Sequence, residues 1–184
     1  TQDARVVLSL RVPRTLAALV IGAALGLAGS IMQAVTRNPL ADPGVLGVNA
    51  GAAFLVVVAT AVAGVSTRAL TMGAALVGAG VAAALVFMLS GRGGAGSRAR
   101  LALAGIAVSA ALASLTQAVL AGHQFAFNEF RYWVSGSLEG VDMASLIWAG
   151  TIIACGAVLG ALLTSALGVL TLGDDAALGL GVRV

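Results

Sequence analysis

Residues 16–35 read LAALVIGAALGLAGSIMQAV, twenty residues without a single charge. At the α-helical rise of ~1.5 Å per residue, such a run is about 30 Å long, which matches the hydrocarbon thickness of a bilayer. Four more stretches share this character: 45–65, 69–89, 101–121 and 144–163, the last with an apolar extension towards Leu172. Every Arg, Asp and Glu of the chain lies outside these five runs. Transmembrane β-strands would instead show ~10-residue segments of alternating hydrophobicity. The expected fold is therefore all-α, a polytopic transmembrane bundle with five spans.

Composition agrees. Of 184 residues, 60% are hydrophobic and 9% are charged, and the mean hydropathy is +1.06. A soluble domain carries about 25% charged residues, because its surface meets water. A chain this poor in charge has too few polar groups for that surface and faces lipid. All ten basic residues are Arg. The pI near 10.5 reflects these arginines scattered over loops and ends, with no basic patch of the kind nucleic acid requires. The lone Cys155 falls in an apolar run, which leaves no intrachain disulfide and no metal cluster to expect.

The connections differ in kind. The first, TRNPLADPG at 36–44, holds Pro39 and Pro43, so helix cannot pass smoothly through it. Residues 66–68 make a tight turn, and GRGGAGSRAR at 91–100 reads as a flexible basic loop. The longest and most polar connection, 122–143, carries five of the eight aromatics between Phe125 and Trp133. Aromatics gather where a chain leaves the bilayer, since their rings suit the headgroup region. Alternate loops carry five arginines on either side, so the positive-inside bias alone leaves the orientation open. Gly22 with Gly26, and Gly156 with Gly160, stand at the spacing that lets helix backbones approach closely in lipid.

The proline-rich connection has a second reading beyond an ordinary surface turn. Gln33 sits in the last turn of the first run, the backbone breaks at Pro39 and Pro43, and the next run opens with Gly44, Gly47, Asn49 and Gly51. Irregular backbone at membrane depth persists only where protein buries it or where it lines a wet cavity.

From Arg11 to Ala53 the chain reads RVPRTLAALVIGAALGLAGSIMQAVTRNPLADPGVLGVNAGAA. This stretch resembles, position by position, the FecCD-type permease family, the membrane subunits of type II ABC importers that take up ferric siderophores, haem and cobalamin. The shared pattern is an R-x-P-R start, a G-x-x-x-Q, and then R-N-P-L-A-x-P-x-x-L-G-x-x-x-G-A. A second match is LGDDAALGLGV at 172–182, similar to the family's L-G-E-E-x-A-x-x-L-G-V coupling segment, with aspartates where glutamates are usual. A third, Trp133-Val-Ser-Gly-Ser-Leu138, resembles the W-x-x-G-S-L of the family's outer loop, which points to a short surface or re-entrant helix there.

The resemblance implies a topology and a set of roles. The coupling segment, through Leu172, Gly173, Asp174, Asp175, Ala177, Leu180 and Gly181, would sit in a groove of a cytoplasmic ATPase. Residues 36–44 and the Arg cluster of 91–100 then share the cytoplasmic side, and Arg5, Arg11 and Arg14 face outwards. Arg11 and Arg14 would bind acidic residues of an extracytoplasmic substrate-binding protein, since Arg makes bidentate, charge-assisted contacts with carboxylates. Headgroup anchoring is the plainer role for the same pair. Gln33, Asn38, Pro39, Pro43, Asn49 and Gly51 are candidates for lining or hinging the translocation pathway. A second permease copy or homologue would complete a dimer surrounded by membrane lipid.

The chain opens at Thr1 without Met and ends just after a polar turn, so residues 1–184 are expected to be a partial permease domain, a piece of a longer protein with about ten spans. Its expected place is the plasma membrane of a bacterium. No Ser-His-Asp or Cys-His set, no HExxH and no phosphate-binding G-x-x-x-x-G-K-[ST] is present, so neither enzymatic activity nor a cofactor is expected. His123 in the outer loop reads as solvated. Two other classes are weighed against an ATP-driven permease: a secondary transporter, and a non-transporting membrane scaffold. Proton-coupled carriers usually keep Asp, Glu or His within the membrane, whereas these runs offer only Ser, Thr, Asn and Gln.

Overall fold

In lipid a backbone must satisfy its own hydrogen bonds, and the charge-free runs do so as helices. The computed structural model describes residues 6–36, 38–91, 97–138 and 140–171, and among these no strand occurs. Six α-helices are present: α1 (Val12–Thr36), α2 (Val48–Ala63), α3 (Arg68–Ser90), α4 (Ser97–Gly122), α5 (Gln124–Ser135) and α6 (Met143–Thr171). A π-helical turn, Val7–Arg11, runs directly into α1, and a 3₁₀ turn, Pro43–Leu46, precedes α2. Among the described residues four helical segments are long and apolar enough to cross a membrane: Val7–Thr36, Arg68–Ser90, Ala99–Gly122 and Met143–Leu162.

The remaining expected span is the exception. α2 has 16 residues, against the twenty-one of run 45–65. Its ends are cut by glycines in the left-handed region, Gly47 (φ 72°) before it and Gly64 (φ 64°) after it, a conformation that costs any L side chain about 1–2 kcal/mol. The Gly64 N–H bonds the Thr60 carbonyl at 3.0 Å, which closes the last turn. Hydropathy cannot distinguish a lipid-facing span from a helix covered by protein, and most of α2 is at least half-covered by its neighbours. It packs against α3, α4 and α5, with Gly51, Val56, Val57 and Thr60 buried. A helix apolar on all sides belongs in a bundle interior.

The basic loop expected at 91–100 is shorter than its composition implied, because α4 already begins at Ser97. The turn at 66–68 is well defined. Thr67 caps α3, its Oγ1 accepting the Leu70 N–H at 3.3 Å, the usual use of Thr at a helix start. Asp142 does the same for α6, accepting the Ser145 N–H at 3.3 Å. The W-x-x-G-S-L stretch ends α5. There Gly136 takes the left-handed conformation (φ 64°) and its N–H bonds the Trp133 carbonyl at 3.3 Å, the common glycine stop of a helix.

Two compact units result, dividing at 42/43 and 137/138. One contains α1 and α6, packed on each other. The other contains α2 to α5 and holds two small cores: Val57, Leu120 and Ala126, and Val86, Leu101 and Val108. Within it, α2 and α3 meet most closely. A Cβ on Gly51 would overlap the Gly78 carbonyl and Ala82 Cβ, and a Cβ on Gly78 would overlap the Gly51 carbonyl. Gly22, Gly26 and Gly156, the glycines whose spacing announced close packing, have open space where a Cβ would go; only Gly160 is packed, 3.1 Å from Ile31 Cδ1 of α1.

Candidate docking, pathway and coupling elements

α1 has two unlike sides. Pro13 and Ala17 are buried, and Val20, Ala24, Leu27 and Ile31 are half-buried on the same side. About half a turn away, at i, i+3, i+4 spacing, Arg11, Thr15, Ala18, Gly22, Gly26 and Gln33 are all exposed. Arg11 and Gln33 thus share one stripe of small and polar residues, roughly 30 Å apart along the helix. Arg14 stands one turn beyond Arg11, also exposed, and neither arginine has an ion-pair partner among the described residues. The π turn ends on Arg11, whose carbonyl accepts the Thr15 hydroxyl at 2.9 Å. Sequence reading placed both arginines before the first span; helix in fact runs through them.

At the other end of α1, the Asn38 N–H reaches back to the Gln33 carbonyl at 3.2 Å. Asn38 then builds the turn that follows. Its Oδ1 accepts the Leu40 N–H at 3.0 Å, and its carbonyl accepts the Ala41 N–H at 3.1 Å. Pro39, with its fixed φ, occupies the second position of that turn, where proline is favoured. The side-chain oxygen of Asn38 is therefore engaged in shaping the chain. Leu40 is held out at the tip, 89% exposed.

Pro43 opens the 3₁₀ turn, closed by the Gly47 N–H on the Gly44 carbonyl at 3.0 Å. Gly47 is buried; a Cβ on it would lie 3.4 Å from Ser109 Oγ and 3.5 Å from Val108 Cγ1. Asn49 is exposed in the first turn of α2, whereas Gly51 is buried at the α3 crossing. The candidates therefore fall into two groups, Gln33, Asn38 and Pro39 in one unit and Pro43, Asn49 and Gly51 in the other. The coupling residues Leu172, Gly173, Asp174, Asp175, Ala177, Leu180 and Gly181 lie outside the described residues.

Sequence reading missed three features. Gly78 has, with Gly51, the least room for a Cβ among the described glycines, yet nothing in its neighbourhood sets it apart from open glycines. Asp142 was not singled out, although an Asp immediately before an apolar run is a helix-start signal. Thr60 is buried with an Oγ1 that has no hydrogen-bond partner, a state no sequence pattern announces. His123 stands at the α4–α5 junction, exposed, its Nδ1 3.0 Å from the Val119 carbonyl. Among the described residues no group of three His, Cys, Asp or Glu could hold a metal ion.

Comparison with known proteins gives these elements a family. All 184 residues match the FecCD transport family. The chain belongs to the FecCD transport family. Similar FecCD-type proteins include the ferric enterobactin transport system permease protein FepD of Escherichia coli, 44% identical over 99% of this chain. The Fe(3+)-citrate import system permease protein YfmD of Bacillus subtilis is 36% identical over 98% of it. The hemin transport system permease protein HmuU of Yersinia pestis is 38% identical over 96%. This FecCD chain spans about half the length of these relatives, 55% of FepD and 54% of the other two. Among solved structures, an inward-facing metal-chelate type ABC transporter superimposes with a TM-score of 0.86 at 26% identity, covering 98% of this chain and 57% of that one. An all-helical, multi-pass membrane fold is thus common to the chain and its neighbour.

Proposed function

We propose that the chain is part of the membrane-spanning permease subunit of an ABC importer in a bacterial plasma membrane, carrying a ferric siderophore or a similar metal chelate (haem, cobalamin) into the cytoplasm. A family match over all 184 residues, with relatives that are permeases for ferric enterobactin, ferric citrate and hemin, carries this reading. The chain itself performs no hydrolysis; a separate cytoplasmic ATPase supplies the energy, and a second permease copy or homologue completes the pathway. The absence of Asp, Glu, His, Lys and Arg from the five charge-free runs supports an ATP-driven rather than a proton-coupled mechanism.

In this cycle a loaded binding protein docks through carboxylates on Arg11 and Arg14, which are exposed and have no ion-pair partner among the described residues. The ATPase pushes on residues 172–182, and the spans re-tilt. Gln33 and Asn49 line the pathway, their exposure leaving both amides accessible. Pro39 and Pro43 supply the break, with Asn38 holding its shape through the Leu40 bond. Gly51 contributes by letting α2 ride directly on α3. The test is expression of the complete permease with its neighbouring ATPase and binding protein. Co-purification with the ATPase and ATP-dependent chelate uptake into proteoliposomes are expected; uptake without any ATPase would overturn the reading in favour of a secondary transporter.

A further inference from the structure

Thr60 stands in the last turn of α2, 2% exposed, and its Oγ1 is buried with no hydrogen-bond partner. Among the described side chains, the other threonines within helices are Thr15, Thr36, Thr71, Thr116 and Thr151. Each donates its hydroxyl to the carbonyl four residues back, at 2.7 to 3.2 Å. The corresponding acceptor for Thr60 is the Val56 carbonyl, and the Thr60 hydroxyl does not bond it. Burial is not the obstacle, because Thr116 on the neighbouring α4 is 4% exposed and makes its bond at 2.7 Å.

A helical threonine has two favoured χ1 wells because its hydroxyl can take that carbonyl, and one step between staggered wells is about 120°. The step moves the methyl along with the hydroxyl, so at a site this closely covered the neighbours must yield for it to occur. Back-bonding of this kind also bends a helix slightly. Bond formation at Thr60 and a change in the path of α2 therefore go together. α2 is built to allow such a change. Gly47 and Gly64, both with positive φ, flank it as joints without side chains, and element-terminal positions of this kind absorb hinge motion. Its crossing with α3 brings the Gly51 and Gly78 main chains together, with no side chain on either glycine to interlock and resist a tilt.

We propose that α2 has two seats and that Thr60 is the latch between them. In the seat described here, packing holds the hydroxyl away from its acceptor. In the other, α2 has tilted about the Gly51–Gly78 crossing and bent in its last turn, and the Thr60 hydroxyl donates to the Val56 carbonyl. The polar atom left unpaired in the first seat lowers its stability relative to the second. Both seats thus stay within reach, and the permease alternates between them during transport. The two seats are a property of the helix itself; only their place in the cycle rests on the permease reading above.

The experiment uses the complete permease with its ATPase in lipid nanodiscs, in a Cys155→Ala background. Nitroxides are attached at Val62→Cys of α2 and Met88→Cys of α3, both exposed positions. Electron–electron double resonance should give two distance populations whose ratio changes with ATP and vanadate. Thr60→Val keeps the shape and removes the bond of the second seat, so the ratio should shift at least about threefold towards the seat described here. Thr60→Ser keeps the hydroxyl and should retain both populations. Thr116→Val removes a hydroxyl already bonded in this seat and should leave the ratio as it was. A single population in the wild type, or a ratio that Thr60→Val does not change, would overturn the proposal. So would a ratio insensitive to nucleotide while the ATPase stays bound. A lowered unfolding midpoint of Thr60→Val with an unshifted ratio would give the hydroxyl a fixed partner, such as a buried water, and end the proposal too. Failure of the permease reading itself shows separately, as a permease that does not hold the ATPase.

Discussion

Gly51 of α2 and Gly78 of α3 face each other so closely that neither has room for a Cβ: each would strike the other's carbonyl oxygen. Backbone then meets backbone where the two helices cross. In lipid, where burial of apolar surface no longer drives helices together, such contact supplies much of the attraction.

Alanine at Gly51 or Gly78 should therefore force the helices apart, because the obstructing atoms are main chain and cannot rotate away. A loss of about 1–3 kcal/mol is expected for either. The controls are Gly22→Ala and Gly80→Ala, where a Cβ meets nothing within 4 Å; these should be neutral or stabilising by up to about 1 kcal/mol. Unfolding of the complete permease in mixed micelles would measure all four.

Asn38→Ala removes the acceptor for the Leu40 N–H and should cost about 0.5–1.5 kcal/mol of local stability. Hydrogen exchange at Leu40 should speed up roughly in proportion, while exchange within α3 stays as it was. Asn38→Asp keeps the acceptor and should largely preserve protection.

Thr60 gives a prediction of opposite sign. Its Oγ1 is buried without a partner, and a buried hydroxyl left unpaired costs about 1–3 kcal/mol. Thr60→Val keeps the shape and removes the polar atom. The unfolding midpoint should rise or hold steady; a clear fall would mean that the hydroxyl has a partner in the assembled permease.

Arg11 and Arg14 test the docking assignment. Reversing both to Glu should weaken binding-protein association and reduce its sensitivity to salt, because the long-range attraction changes sign. Gln33→Ala, on the same stripe of α1 but at the other end, should leave that affinity unchanged while lowering transport. A double reversal that binds normally would return the arginines to headgroup anchoring.

How much of this could be read from the sequence depends on what each feature perturbs. α3 needed only its charge-free run, since 69–89 differs from Arg68–Ser90 by one residue at either end. The length of α2 was hidden, because Val, Ala and Leu give the same hydropathy whether they face lipid or protein, and Gly47 and Gly64 do not display their left-handed φ in advance. Glycine spacing misled for a related reason. Gly22 and Gly26 have the expected separation and stand open, whereas the Gly51–Gly78 contact joins two residues on different helices. Arg11 and Arg14 were legible through the R-x-P-R pattern, but the helix running through them was not. The turn function of Asn38 depends on where its Oδ1 points, which only coordinates reveal.

The brevity of α2 has one more consequence. Sixteen residues rise about 24 Å, some 6 Å less than the hydrocarbon layer. α2 alone is therefore shorter than that layer, and any crossing here needs the chain beyond Gly47 or Gly64 as well. In the permease proposed above, a solute moving beside α2 would pass a shorter length of apolar helix than one moving beside α1 or α3.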